Sequence, residues 1–207
     1  MWAETRSEGG SSRDGLYVYG VTRPPARQSW SGLDRPLTTV RYQDLVALVR
    51  PVPFAAPGRG RDEAADHQRV MDSVMRQTTV LPLPFGLVFR GRRALLRFLE
   101  DQYVALGEGL DFLDGHWEMR LHITGETDSE AAQATATQLY TDLRSLGRAA
   151  LPLPAAEGRL LSAAFLVDRG GWIRFVEEVD DLGLAHPELS LDVTGPWPPY
   201  DFVAVDL

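Results

Sequence analysis

The chain of 207 residues contains no cysteine and no lysine, and it has no long uninterrupted apolar run. The absence of cysteine excludes disulfide bonds, a thiol nucleophile and a zinc–thiolate site, and it suits a cytoplasmic protein. No segment offers the roughly 18 consecutive apolar residues of a membrane-spanning helix, so we expect no membrane span. All 21 basic residues are arginine, which we attribute to a GC-rich genome rather than to arginine chemistry.

The charge is divided unevenly between the two halves of the chain. Residues 1–115 carry 15 Arg against 14 Asp and Glu, or +1, whereas residues 116–207 carry 6 against 15, or −9. The acidic half would repel phosphate backbones, so we expect no nucleic-acid binding. An apolar content of 44% is enough for the packed core of one large or two small domains.

Composition and local pattern predict a flexible tail followed by two domains. Residues 1–15 are polar and rich in glycine and serine, and they lack the apolar core of a signal peptide. Residues 16–114 form the first predicted domain and residues 115–207 the second. We place the boundary at Asp114-Gly115 because a helical period changes there to a strand period.

The first domain is predicted to mix strands with two helices. Its predicted strands are Leu16–Val21, Leu37–Tyr42 and Asp44–Val49, its helices are Asp62–Gln77 and Arg92–Leu113, and Leu81–Phe89 is extended. Pro51 should end the third strand, because proline has no backbone donor. Gly107 and Gly109 should break the second helix near its end.

The second domain opens with the clearest alternation in the chain. Trp117, Met119, Leu121 and Ile123 alternate with polar residues, which predicts a strand with Glu118, Arg120 and His122 on a solvent-facing side. The remaining predicted elements are a helix capped by Thr127 or Asp128 and running to Gly147, a loop at Leu151–Gly158, a strand at Leu160–Val167, a helix from Trp172, and a strand around Leu189–Val193. Because strands and helices interleave in both halves, the fold class is α+β.

No set of side chains has the spacing of a catalytic, cofactor or metal site. His67 lies on the apolar face of its helix, where a hydrogen-bonded core histidine is the simplest interpretation. His116 and His122 are six residues apart on one strand, about 20 Å by the strand rise, too far to share a metal ion. The acidic run Glu177–Asp181 lies opposite a buried Val179, which is typical of a solvated helix surface.

The C-terminal segment Thr194–Val203 is the most distinctive part of the chain. Pro196, Pro198 and Pro199 cannot lie in a central strand, so we predict a rigid connection between two strands, the second at Phe202–Val205. The candidate partner-binding or structural residues are Trp197, Pro198, Pro199, Tyr200 and Phe202 here, together with Trp30 in a polar loop. For Trp197, packing on its own sheet edge is favoured over an exposed anchor.

This segment resembles the C-terminal signature of the gas vesicle protein family GvpF/GvpL. Leu16–Val21, the segment from His67 to Gly86 and the strand from Trp117 resemble other parts of that family in the same order. The chain departs from the family pattern at two positions. The family has a basic residue where Pro84 stands and a small polar residue where Leu87 stands. A role that depends on the family's positive charge at the position of Pro84 is therefore not expected to carry over to this chain.

The resemblance implies two domains, each a two-layer, modified ferredoxin-like sheet with helices on one face. It further implies a non-enzymatic accessory or minor structural protein in the cytoplasm, associated with the gas vesicle. Its partners would be the hydrophobic shell protein and other gas vesicle accessory proteins. Two other classes stay open: an enzyme on a ferredoxin-like scaffold, and a sensor with a small-molecule site.

Overall fold

The computed structural model describes residues 15–23, 37–54, 61–154 and 156–203. These residues divide into two compact units, the first within residues 1–78 and 83–107 and the second within residues 79–82 and 108–207. The domain boundary at Asp114-Gly115 stays a prediction. The predicted N-terminal tail and Trp30 lie outside the described residues.

The described residues form nine strands and five α-helices. The strands are β1 (Gly15–Thr22), β2 (Thr38–Tyr42), β3 (Leu45–Val52), β4 (Val80–Pro82), β5 (Val88–Arg90), β6 (His116–Thr124), β7 (Ala149–Pro152), β8 (Leu161–Asp168) and β9 (Ser190–Trp197). The helices are α1 (Arg61–Met75), α2 (Gly91–Asp101), α3 (Tyr103–Leu113), α4 (Glu130–Leu143) and α5 (Trp172–Ala185). This mixture confirms the α+β class.

The second unit contains a four-stranded antiparallel sheet in the order β7-β8-β6-β9. Its chain order, β6-α4-β7-β8-α5-β9, is the βαββαβ arrangement of a ferredoxin-like fold. Both helices contribute to one core, because Ala136 and Leu139 of α4 and Phe175 and Val179 of α5 are buried with the apolar residues of β6. The predicted two-layer form, with helices on one face, is confirmed.

The first sheet has five strands and repeats part of this topology. Strands β2, β3 and β1 are antiparallel neighbours in that order, as β7, β8 and β6 are in the second sheet, and β5 also pairs with β1. Strand β1 is buried along almost its whole length, which explains its unbroken apolar and aromatic sequence.

Several predicted element limits were wrong. The helix predicted from Arg92 to Leu113 breaks at Gln102, between α2 and α3, rather than at Gly107 or Gly109. Helix α4 is capped by the Ser129 hydroxyl, which accepts from the Ala132 N–H, and not by Thr127 or Asp128. Strand β3 continues through Pro51 to Val52.

The loop predicted from Leu151 instead begins inside strand β7, which pairs with β8. Strand β7 is only four residues long and ends in proline, so its sequence carries little strand signal. Among the described residues, none of the helices combines the length and the apolar character needed to cross a membrane.

Candidate protein-binding surfaces

The C-terminal signature begins inside strand β9 rather than after it. Strand β9 continues through Gly195 and Pro196 to Trp197, and the Gly195-Pro196 peptide bond is cis. Pairing with β6 changes register here, because Glu118 and Arg120 face Trp197 and Thr194, which leaves one extra residue on β9. Such a bulge on an edge strand is where a sheet tolerates proline. The prediction that Pro196 lies in a connection was therefore wrong.

Gly195 allows the two strands to approach closely at this bulge. Its φ is +128°, and a Cβ atom at this position would lie 2.9 Å from the carbonyl oxygen of Glu118 and 3.0 Å from the sulfur of Met119. A residue with a side chain would have both an unfavourable backbone conformation and a steric clash.

The predicted site residues of the signature are held against their own unit. The Trp197 indole N–H donates to the Thr194 hydroxyl at 3.1 Å, and the side chain is half-buried. Pro198 and Pro199 are buried, and Tyr200 and Phe202 are half-buried in a single 3-10 turn. The strand predicted at Phe202–Val205 begins within this turn, and residues 204–207 lie outside the described ones.

A buried carboxylate fastens this turn to strand β6. One oxygen of Glu118 accepts from the backbone N–H of Asp201 at 2.9 Å, and the other accepts from Arg120 Nε at 2.7 Å. The Arg120 guanidinium also contacts the Asp201 carboxylate, with Nη2 3.0 Å from Oδ2. We call Glu118, Arg120 and Asp201 the carboxylate clamp. The prediction that Glu118 faces solvent was wrong, since it is fully buried.

The surroundings of Glu118 favour its protonated form. Burial raises the pKa of Glu118 from 4.5 to about 7, although the Asp201 N–H and the Arg120 guanidinium oppose this change. The nearby Asp201 carboxylate acts in the same direction as burial. The carboxylates of Glu118 and Asp201 are thus close to each other, and both contact the single guanidinium of Arg120.

In the first unit, a chain of hydrogen bonds connects a surface turn to a buried histidine. The Tyr17 hydroxyl lies 2.7 Å from His67 Nδ1 and accepts from the Gly86 N–H at 3.4 Å. His67 is 4% exposed, and burial lowers its pKa from 6.5 to about 4, so the ring is neutral near pH 7. This confirms the prediction of a hydrogen-bonded core histidine.

The segment Leu83–Leu87 is a turn fixed on strand β1, and we call it the Phe85 turn. Its ends bond to β1: the Leu83 N–H donates to the Tyr19 carbonyl at 3.1 Å, and the Val18 N–H donates to the Leu87 carbonyl at 3.0 Å. Gly86 has a φ of +89°, as a tight turn requires. Phe85 remains 40% exposed, with its ring packed edge-on against Tyr17 and His67.

The described residues contain few large exposed apolar side chains besides Phe85. They are Phe54, Val104, Phe112, Ile173 and Leu184. Phe54 lies under the guanidinium of Arg90, 4.6 Å from Cζ to the ring centre. In the described ranges, no three His, Asp or Glu side chains are grouped so that they could hold a metal ion.

Two matches to one family model cover almost the whole chain: residues 15–137 and 125–204 each match the gas vesicle synthesis protein GvpL/GvpF family. The chain belongs to the GvpL/GvpF family. It is therefore a gas vesicle protein involved in gas vesicle formation.

Relatives of both names occur among curated proteins. Gas vesicle protein F1 of Halobacterium salinarum is 28% identical, with 94% of this chain and 95% of the relative aligned. Gas vesicle protein L of a Streptomyces species is 29% identical, with 91% and 92% aligned.

Two crystal structures show the same fold. That of the gas vesicle protein GvpF from Anabaena sp. PCC7120 superposes with a TM-score of 0.82 at 20% identity, covering 93% of this chain and 97% of that one. That of GvpF from Microcystis aeruginosa has a TM-score of 0.80 at 18% identity, covering 93% and 100%. The modified ferredoxin-like prediction therefore agrees with solved members of the family.

Proposed function

We propose that this GvpL/GvpF protein binds the hydrophobic shell protein of the gas vesicle and supports vesicle assembly. It does so in the cytoplasm, associated with the growing vesicle and with other gas vesicle accessory proteins. Membership of the family supports a role in gas vesicle assembly. An exposed aromatic side chain on a rigid support favours binding of a partner protein as the mechanism.

The Phe85 turn is the observation that carries this proposal. Phe85 projects from a turn held by backbone bonds to β1 and by the contact between Gly86 and Tyr17. Little conformational freedom would be lost when it enters an apolar partner, and rigid aromatic residues often dominate binding energy. The turn contains no charged side chain, since Pro84 stands where the family has a basic residue, and this suits an apolar contact.

The first unit offers little support for the alternative functions, an enzyme or a small-molecule sensor. His67 is almost completely buried, with Tyr17 and Phe85 packed around its ring. A general base needs access to a substrate proton and a pKa near the working pH. We therefore propose that the chain is not an enzyme and that His67 supports the Phe85 turn.

We propose a structural role for the C-terminal signature. Trp197, Pro198 and Pro199 pack on the second unit, and the carboxylate clamp holds the turn at Tyr200 and Phe202. The signature would then stabilise edge strand β9 of the second sheet and the turn that follows it. Trp197 and Tyr200 each keep part of the side chain exposed to solvent.

The proposal is tested by measuring binding of the purified full chain to the shell protein, kept in detergent, by biolayer interferometry. Phe85→Ser should weaken binding about tenfold or more, as expected for an interface anchor. Val104→Ser is the matched control, because Val104 is 66% exposed on α3 and should change affinity less than twofold. Raising NaCl from about 0.1 to 0.5 M should weaken binding only modestly, since salt screens mainly the rim charges.

The same experiment can refute the proposal. If the wild-type chain shows no binding, or Phe85→Ser and Val104→Ser have equal effects, binding through this turn is wrong. Circular dichroism of Phe85→Ser separates lost binding from lost folding, and Phe85→Leu, which keeps an apolar side chain, should retain most of the affinity.

A further inference from the structure

The outward face of helix α5 combines two features that its fold does not require. Ile173 is 55% exposed and Leu184 is 83% exposed, while Glu177 and Asp180 are exposed between them. At about 100° per residue, these four positions fall within an arc of about 60° on the helix surface. We call them the α5 stripe.

The opposite side of α5 already accounts for the packing of the helix. Phe175 and Val179 are each 1% exposed and belong to the core of the second unit. A single exposed leucine is ordinary on a protein surface. Here two branched aliphatic side chains lie about 16 Å apart, at the two ends of one acidic stripe.

The exposed side of α5 carries four carboxylates, and Arg174 is the one basic residue of this helix. Among the described residues, neither Glu177 nor Glu178, Asp180 or Asp181 takes part in an ion pair. Carboxylates three and four positions apart repel each other on a helix. Local stability would favour other residues at these positions, and such local conflicts are typical of functional surfaces.

We propose that the α5 stripe is a docking surface for a basic amphipathic helix of a partner protein. The partner helix presents arginine or lysine side chains to Glu177 and Asp180, and apolar side chains to Ile173 and Leu184. About three helical turns of contact match the length of the stripe. The α5 stripe belongs to the second unit and the Phe85 turn to the first, and we assign the α5 stripe to a partner other than the shell protein.

The test measures binding of a defined probe to the full chain by fluorescence anisotropy. The probe is an 18-residue, acetylated and amidated helical peptide with leucines along one stripe and arginines between them. Two further peptides replace either all arginines by glutamate or all leucines by serine. The arginine–leucine peptide should bind, and each of the other two should bind at least tenfold more weakly.

Variants of the chain then locate the binding site. Glu177→Arg/Asp180→Arg should weaken binding at least tenfold, and Ile173→Ser/Leu184→Ser at least fivefold. The matched control, Glu126→Arg/Asp128→Arg, makes the same charge change at exposed positions of the same unit and should alter affinity less than twofold. Thermal melting and circular dichroism of the α5 charge-reversal variant separate lost binding from damaged folding.

Three results would overturn the proposal. Equal loss of affinity in the two charge-reversal variants would mean attraction to net charge alone. Unchanged affinity in Ile173→Ser/Leu184→Ser would mean that the apolar ends are not used. No measurable binding of the arginine–leucine peptide to the wild-type chain, at about 0.1 M salt and up to about 0.5 mM protein, would reject the surface altogether.

Discussion

At the scale of single residues, the carboxylate clamp determines how the C-terminal signature is held. Each oxygen of the buried Glu118 has one donor, the Asp201 N–H and Arg120 Nε. A buried carboxylate left with an unmatched charge is costly, whereas removing both partners together costs much less. The clamp therefore predicts strong coupling between Glu118 and Arg120.

We predict that Arg120→Gln lowers the free energy of unfolding by about 3 kcal/mol at pH 8. The loss should be smaller at pH 5, because Glu118 then takes up a proton. Glu118→Gln/Arg120→Gln should recover part of the stability, and chemical denaturation of the four proteins in the cycle measures this coupling. Additive effects of the two substitutions would show that the clamp contributes nothing as a unit.

Trp197 provides a second test at this scale. Its side chain is half-buried, and its N–H has a partner in Thr194. Trp197→Ala should therefore cost about 2 kcal/mol of stability or more, less than a fully buried tryptophan. Trp197→Phe, which keeps a ring but loses the donor, should cost about 1 kcal/mol. A Trp197→Ala protein that melts like the wild type but binds the shell protein more weakly would identify Trp197 as an exposed anchor.

At the scale of elements, hydrophobic period predicted the type of most helices and strands. Strands β1, β6 and β8 lie close to where alternation or apolar runs placed them, because burial of their side chains determines those patterns. The break between α2 and α3 at Gln102 was missed, because that position carries no glycine or proline. Gly107 and Gly109 lie inside α3, which continues past both of them.

The carboxylate clamp lies beyond what local patterns predict. The alternation around Trp117 correctly assigned Met119, Leu121 and Ile123 to the core and wrongly assigned Glu118 to solvent. Glu118 is buried because a turn about 80 residues later in the chain returns to cover it, as the separation of 83 residues to Asp201 shows. The strand period records which face a residue lies on, and only tertiary structure decides what covers that face.

Substitution by alanine should have opposite effects on stability at two glycines of the second unit, Gly195 in the β9 bulge and Gly183 in α5. Gly195→Ala should destabilise the protein by about 2 kcal/mol or more, because its φ is +128° and the new Cβ would lie 2.9 Å from the Glu118 carbonyl oxygen. Gly183→Ala in α5 is the control, because its Cβ would meet nothing within 4 Å. It should stabilise the helix by about 0.5 kcal/mol or more. Thermal melting of both variants compares their stabilities, and equal effects would contradict the backbone conformation of Gly195.

At the scale of the whole molecule, two units of related topology contain buried ionisable groups with opposite pH responses. His67 in the first unit has a lowered pKa, and Glu118 in the second has a raised one. A histidine with a lowered pKa stabilises the fold above about pH 6.5, and this contribution is lost as the pH falls toward about 4. A carboxyl with a raised pKa stabilises it below about pH 4.5, and this contribution is lost as the pH rises through about 7.

The two contributions should nearly cancel between about pH 4.5 and 6.5, with slopes of about 1 kcal/mol per pH unit and opposite sign. We predict that the wild-type free energy of unfolding changes less across this range in urea titrations than that of either variant below, although burial also lowers the pKa of His122 and adds a rise with pH. In Glu118→Gln only the contribution of His67 remains, so the free energy of unfolding of this variant should rise with pH. In His67→Gln only the contribution of Glu118 remains, so the free energy of unfolding of this variant should fall with pH.

Because each variant is compared with itself across pH, a general loss of stability from the substitution does not affect the slopes. The same slope in both variants would show that these two groups do not govern the pH response. If the two units unfold separately, each variant should change the slope of one transition only, which would also show the two domains to be independent folding units.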